Sequence, residues 1–135
     1  MFKGSCLCGR VTFEVHGEIF NPRYCHCTNC RKFSGSGHAA WGMIRTETLE
    51  LTSAESNVTR FDSGGGLRVF CRTCGSPLWY EPTSLSEYRG IALGAIDEGS
   101  VPAPGMHLWT KSKASWVSIA DALPQFETHP SRPAS

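Results

Sequence analysis

Cysteine carries the chemistry of this chain. Cys25, Cys27 and Cys30 fall within the six-residue run Cys25-His26-Cys27-Thr28-Asn29-Cys30. The other four thiols form two close pairs, Cys6-Leu7-Cys8 and Cys71-Arg72-Thr73-Cys74. Seven is an odd number, so they cannot all pair as disulfides. In a reducing compartment, close cysteine pairs are more often metal ligands than disulfides.

Zinc takes a tetrahedral shell of thiolates and imidazoles. A closed four-ligand shell is structural, and a three-ligand shell leaves a position open for chemistry. Dividing the thiols into four and three therefore predicts two zinc ions per chain, one structural and one catalytic. The pairs Cys6/Cys8 and Cys71/Cys74 form the closed set. Each pair is followed by a glycine, Gly9 or Gly75, which suits a positive φ at a knuckle. Reduced, non-ligating pairs or a redox CxxC are the competing reading. Cys25, Cys27 and Cys30 form the incomplete set. Its open position suits a soft ligand such as a substrate thiol, whose pKa a metal lowers. The competing reading closes that shell with His38 or His107. His26 is discounted as a ligand because it sits between two others. Tyr24 and His26 are candidate proton donors to a developing alkoxide, against a plain packing role. Arg31 and Lys32 follow the third ligand and can offset the negative charge of a three-thiolate zinc, or form a solvated basic turn. Arg68 alternates with Val69 and faces either a cavity or solvent.

These residues need a rigid scaffold, and the pattern around them is β. Fourteen glycines and eight prolines cut the chain into short pieces. Apolar residues alternate over short runs rather than at helical spacing. Strands are predicted at 11–15, 38–45, 48–52, 78–80, 91–96, 106–109 and 115–119. A hairpin is predicted from 58–61 and 67–70 around the turn 62–66. Asn21-Pro22 reads as a turn and 31–37 as a flexible basic loop. Trp41, Trp79, Trp109 and Trp116 are candidate core residues. Residues 1–126 form one zinc-binding domain, with 123–126 docked on its body and 127–135 a mobile tail.

Bulk properties narrow the function. The net charge of +1 points to neither nucleic acid nor an anionic membrane. No apolar run approaches the ~18 residues that span a bilayer. Residues 1–5 lack the apolar core of a secretory signal, so a cytoplasmic location is expected.

Three runs carry a family resemblance: Gly4-Ser5-Cys6-Leu7-Cys8-Gly9-Arg10-Val11, Cys25-His26-Cys27-Thr28-Asn29-Cys30-Arg31-Lys32, and Phe70-Cys71-Arg72-Thr73-Cys74-Gly75-Ser76-Pro77-Leu78. They resemble the glutathione-dependent formaldehyde-activating enzymes, whose domain is shared by centromere-protein-V-like proteins. Gly94-Ala95-Ile96-Asp97, Pro104-x-x-His107, Trp116 and Asp121-x-Leu123-Pro124-x-Phe126 resemble the family's C-terminal half. The resemblance implies an all-β fold of folded-over antiparallel sheets (a β-tent) with zinc knuckles. It implies structural zinc on Cys6, Cys8, Cys71 and Cys74, and catalytic zinc on Cys25, Cys27 and Cys30. The implied activity is that of a carbon–sulfur lyase joining a thiol, glutathione in the founding member, to formaldehyde. The expected partners are therefore a small-molecule thiol and an aldehyde. A non-catalytic zinc-binding or thiol-carrier module is the alternative, because fold resemblance does not fix a substrate.

Overall fold

The computed structural model describes residues 1–130. Two sheets organise the chain. The smaller contains β1 (Phe2–Ser5), β2 (Thr12–Val15), β5 (Leu49–Leu51) and β10 (Ile96–Glu98), in the order β10-β1-β2-β5. The larger contains β3 (Phe20–Cys25), β4 (Ala39–Arg45), β6 (Val58–Asp62), β7 (Gly66–Cys71), β8 (Pro77–Pro82), β9 (Tyr88–Ala92) and β11 (His107–Leu108). Its order is β11-β3-β4-β9-β8-β7-β6. All pairings are antiparallel except β11 with β3. The expected all-β class is what the chain adopts.

Alternation sets which faces meet. In β2, Phe13 and Val15 are buried while Thr12 and Glu14 are half-buried. Phe13 meets Trp79 of the larger sheet edge to face, with centroids 5.8 Å apart. Ile44, Val69, Leu78 and Ile91 complete this core, which also takes in Cys6 and Cys71. Cys25, Cys30, Ala39 and Trp41 form a second, smaller buried cluster.

Several expected elements differ. The stretch 91–96 is not one strand: β9 ends at Ala92, a 3-10 turn spans Leu93–Ala95, and β10 begins at Ile96. The apolar run therefore crosses from the centre of one sheet to the edge of the other, with Gly94 in the turn. Asn21-Pro22 does not end the segment. Asn21 has φ 45° and sits in β3 where the register against β4 shifts, as a bulge accommodates. Residues 31–37 are not a loop through their first part, because α1 spans Thr28–Ser34. Residues 115–119 form no strand; Val117 N–H turns back to the Ala114 carbonyl, and Trp116 is 71% exposed rather than core.

The C-terminal segment lies along β11. His107 bridges to Gln125, and Phe126 N–H donates to the His107 carbonyl. The carbonyls of Glu127 and Thr128 accept from Lys111 and Trp109, so docking continues past residue 126. The last part of the expected tail, residues 131–135, lies outside the described residues. Among the described residues, no helix is long and apolar enough to cross a membrane.

Candidate metal centre

Cys6 and Cys8 follow β1, whereas Cys71 ends β7 and Cys74 lies in the turn to β8. The fold brings their four sulfurs within 4.8 Å of one another. Cys6 and Cys8 Sγ are 3.6 Å apart, and Cys8 and Cys71 Sγ 3.8 Å. Each knuckle closes on its glycine: Gly9 N–H donates to the Cys6 carbonyl and Gly75 N–H to that of Cys71. The φ angles are 81° at Gly9 and 77° at Gly75, in the left-handed region that the sequence expects. Backbone N–H groups point at the sulfurs, Val11 at Cys6 (3.2 Å) and Thr73 and Cys74 at Cys71 (3.4 Å each). Donors aimed at sulfur favour thiolate. The Ser76 hydroxyl and amide draw the Cys74 thiol down to about 5. Ser76 Oγ also accepts from Leu7 N–H (2.9 Å), tying one knuckle to the other.

The second set is local. Cys25 ends β3, Cys27 caps α1 and Cys30 lies in its first turn. Cys27 Sγ accepts from Cys30 N–H at 3.3 Å, an N-cap role usually taken by Ser, Thr, Asp or Asn. Gly35, at φ 67°, closes the other end by donating its N–H to the Arg31 carbonyl. A helix of seven residues is too short to persist alone, so its caps and its packing on β4 hold it. The three sulfurs lie within 4.8 Å of one another. Cys25 and Cys30 are buried, and Cys27 is half-buried, so the set opens at Cys27. Hydrogen bonds from the Cys25 and Cys30 thiols hold Cys27 well below the usual thiol range, while sharing with Cys27 pushes Cys25 far up. Three thiols crowded together cannot all ionise unless a cation replaces their protons, and that is the chemistry of a metal-binding donor set. Trp41 Nε1–H donates to Cys30 Sγ at 3.4 Å, and the buried Arg68 reaches the same sulfur through Nη1 at 3.7 Å. Among the described residues, no histidine or carboxylate joins the set as a fourth ligand.

Tyr24 and His26 alternate with Cys25 and Cys27, and they gather with other histidines. The Tyr24 ring lies 4.5 Å from that of His38 and 5.1 Å from that of His107. His26 Nε2 is 2.8 Å from His107 Nδ1, and His107 Nε2 is 2.9 Å from Asp121 Oδ2. Burial first, and then the charges of His38 and His107, lower the His26 pKa to about 4. The ionised carboxylate only accepts, so His107 donates from Nε2 and accepts at Nδ1. His26 therefore donates from Nε2, and its Nδ1 holds a lone pair. That atom is fully buried and has no hydrogen-bond partner among the described residues. Both nitrogens of His107 are committed away from the thiols, which removes it as a fourth ligand.

Arg31 turns its guanidinium to the Ser112 carbonyl (3.1 Å), and Lys32 is exposed. The cation at the three sulfurs is Arg68 instead. The alternation 68/69 left its direction open, and only the register of β7 against β8, which sets it beside Tyr80, resolves it. The Asp121–His107–His26 chain was missed because its members lie 14 and 81 residues apart in sequence.

Comparison with known proteins agrees with this geometry. Over 84 residues the chain is 27% identical to an uncharacterized lyase of Schizosaccharomyces pombe; the match covers 62% of this chain and 59% of that protein's length. A crystal structure of a Rhodobacter sphaeroides protein superposes with a TM-score of 0.61 at 30% identity, covering 74% of this chain and 91% of that one. The family model described as "Glutathione-dependent formaldehyde-activating enzyme" matches residues 1–112, which hold all seven cysteines, and the chain belongs to that family.

Proposed function

We propose that this protein is a zinc-dependent carbon–sulfur lyase that adds a small thiol to a small aldehyde. The observation that carries this reading is the three-sulfur set of Cys25, Cys27 and Cys30, which no fourth described side chain completes. Zinc held there supplies a Lewis-acidic position that a thiol can occupy as thiolate. Cys6, Cys8, Cys71 and Cys74 hold the structural ion. Trp41 and Arg68 fix the Cys30 sulfur and favour its thiolate form. The half-buried Cys27 side is where a thiol approaches, and the walls formed by Phe33, Trp41 and Tyr80 limit water. Tyr24 remains the proposed proton donor to the alkoxide, through its hydroxyl, whereas His26 is neutral and gives its one N–H to His107, so it is left without the donor role expected from the sequence. The proposed compartment is the cytoplasm, where thiols stay reduced.

The test is exchange spectroscopy by NMR. Purified zinc-loaded protein is added to formaldehyde and glutathione, and interconversion with the hydroxymethyl thioether is followed. Exchange faster than the spontaneous reaction, and lost in Cys27→Ser, supports the assignment. Exchange at the spontaneous rate with both ions bound removes this substrate pair.

A further inference from the structure

Arg68 is 7% exposed, and among the described residues no ion pair joins it to a carboxylate. A buried cation without a counter-ion is costly. The surroundings of this one are specific. Its guanidinium carbon lies 4.9 Å from the Tyr80 ring centroid and 5.4 Å from that of Phe33. Nε donates to Ser63 Oγ at 3.1 Å, and Nη1 points at Cys30 Sγ. Nη2 has no hydrogen-bond partner among the described residues. Aromatic faces and a hydroxyl hold a planar guanidinium in place but do not neutralise it. The guanidinium reaches the thiols through Cys30 Sγ; Asp62, the carboxylate felt at Tyr80, makes no ion pair with Arg68 among the described residues. Three thiolates and one divalent cation leave a single negative charge, which one arginine cancels.

We propose that Arg68 is the fixed counter-charge of the three-cysteine centre, and that it biases the open position toward an anionic sulfur ligand over a neutral nitrogen one. The second half rests on the thiol reading above; the first does not. Without Arg68, binding a thiolate to an already negative centre adds like charge in a partly buried site. With it, the added charge faces a cation held by Tyr80 and Phe33. A neutral imidazole gains nothing from that cation. Arg68 acts through Cys30 and is a positioning residue.

The experiment uses cobalt(II)-substituted protein, whose sulfur-to-cobalt absorption reports each centre. Wild type, Arg68→Met and Arg68→Lys are compared for cobalt affinity against a chelator, then titrated with 2-mercaptoethanol and with imidazole. Arg68→Met is expected to weaken cobalt binding at the three-cysteine centre at least about tenfold, leaving the four-cysteine centre unchanged, and Arg68→Lys to recover part of the loss. Mercaptoethanol affinity should fall about tenfold in Arg68→Met, with imidazole affinity within about twofold of wild type. Wild-type cobalt affinity in Arg68→Met would overturn the counter-charge, and equal losses for both added ligands would overturn the bias. If wild type binds imidazole but no thiol, the thiol reading and the bias fail together, while the counter-charge is still decided by cobalt affinity.

Discussion

Replacing one thiol in each set should separate a structural ion from a functional one. Cys74→Ser removes a ligand that joins residues 6–8 to 71–74, and Cys71 and Cys6 of the same set lie in the main core at 0% and 5% exposure. Structural zinc is worth roughly 10–16 kcal/mol in zinc-finger peptides, against a total stability of about 5–15 kcal/mol for a domain. Losing most of that contribution exceeds what the core can cover, so Cys74→Ser should have no cooperative thermal transition, or one lowered by at least about 20 °C. Cys27→Ser differs on two counts. Its set lies in the smaller cluster, and serine is itself a preferred N-cap, so its hydroxyl can take over the hydrogen bond from Cys30 N–H that starts α1. The cost should be about 1–2 kcal/mol, a Tm loss of about 3–8 °C.

Metal content by mass spectrometry and far-ultraviolet circular dichroism on the same samples make the assay. Wild type should carry about two equivalents of zinc, and Cys27→Ser about one on an unchanged fold. If both variants unfold alike, or if Cys27→Ser keeps two ions, the division into a closed and an open centre is wrong.

Other consequences can be checked more briefly. A strong chelator should strip the ion of the three-cysteine centre first, because that shell is incomplete and opens at Cys27, and cobalt absorption should decay in two separable phases. Gly75→Ala should cost about 1–2 kcal/mol, because φ is 77° although a Cβ meets nothing within 4 Å; Gly75→Asn should cost less, and a Tm series distinguishes strain from clash. Asp121→Ala frees the His107 tautomer, which should be seen as altered imidazole N–H signals of His26 and His107 and a lower Tm. Trp116→Ser should change stability by less than about 0.5 kcal/mol, since the ring is 71% exposed.

What could be read from the chain beforehand follows the range of each interaction. The knuckles were legible because a CxC or CxxC followed by glycine is a local geometric statement, and Gly9 and Gly75 adopt the positive φ it requires. Alternation placed β2 because one face of it is buried, and the turn 62–66 placed the β6–β7 hairpin; β4 is buried on both faces, with Trp41 on one and Ile44 on the other. It failed at 91–96, where an apolar run serves two sheets in turn, and at 115–119, where a side chain, Lys113, holds the chain in a turn by donating to the Val117 carbonyl. The helix α1 escaped notice because its N-cap is a cysteine, a residue not normally counted among caps. Arg68 and the Asp121–His107–His26 chain depend on strand register and on β11 lying parallel to β3, which no local pattern encodes.

The same contrast of range explains why one cysteine set can work while the other must hold. Cys6 and Cys74 are far apart in the chain, so an ion bound by them closes a long loop and its binding is inseparable from folding. Its four sulfurs are enough to fill a tetrahedral shell by themselves, and amides of the two knuckles are aimed at Cys6 and Cys71. Cys25, Cys27 and Cys30 close almost no loop. An ion there adds little to the fold, which is free to present it incomplete, half-open at Cys27, with cation and indole already aimed at Cys30. On the proposed reading, a centre that closes almost no loop, yet is faced by a buried arginine that no carboxylate pairs with among the described residues, is explained by what it binds rather than by what it holds together.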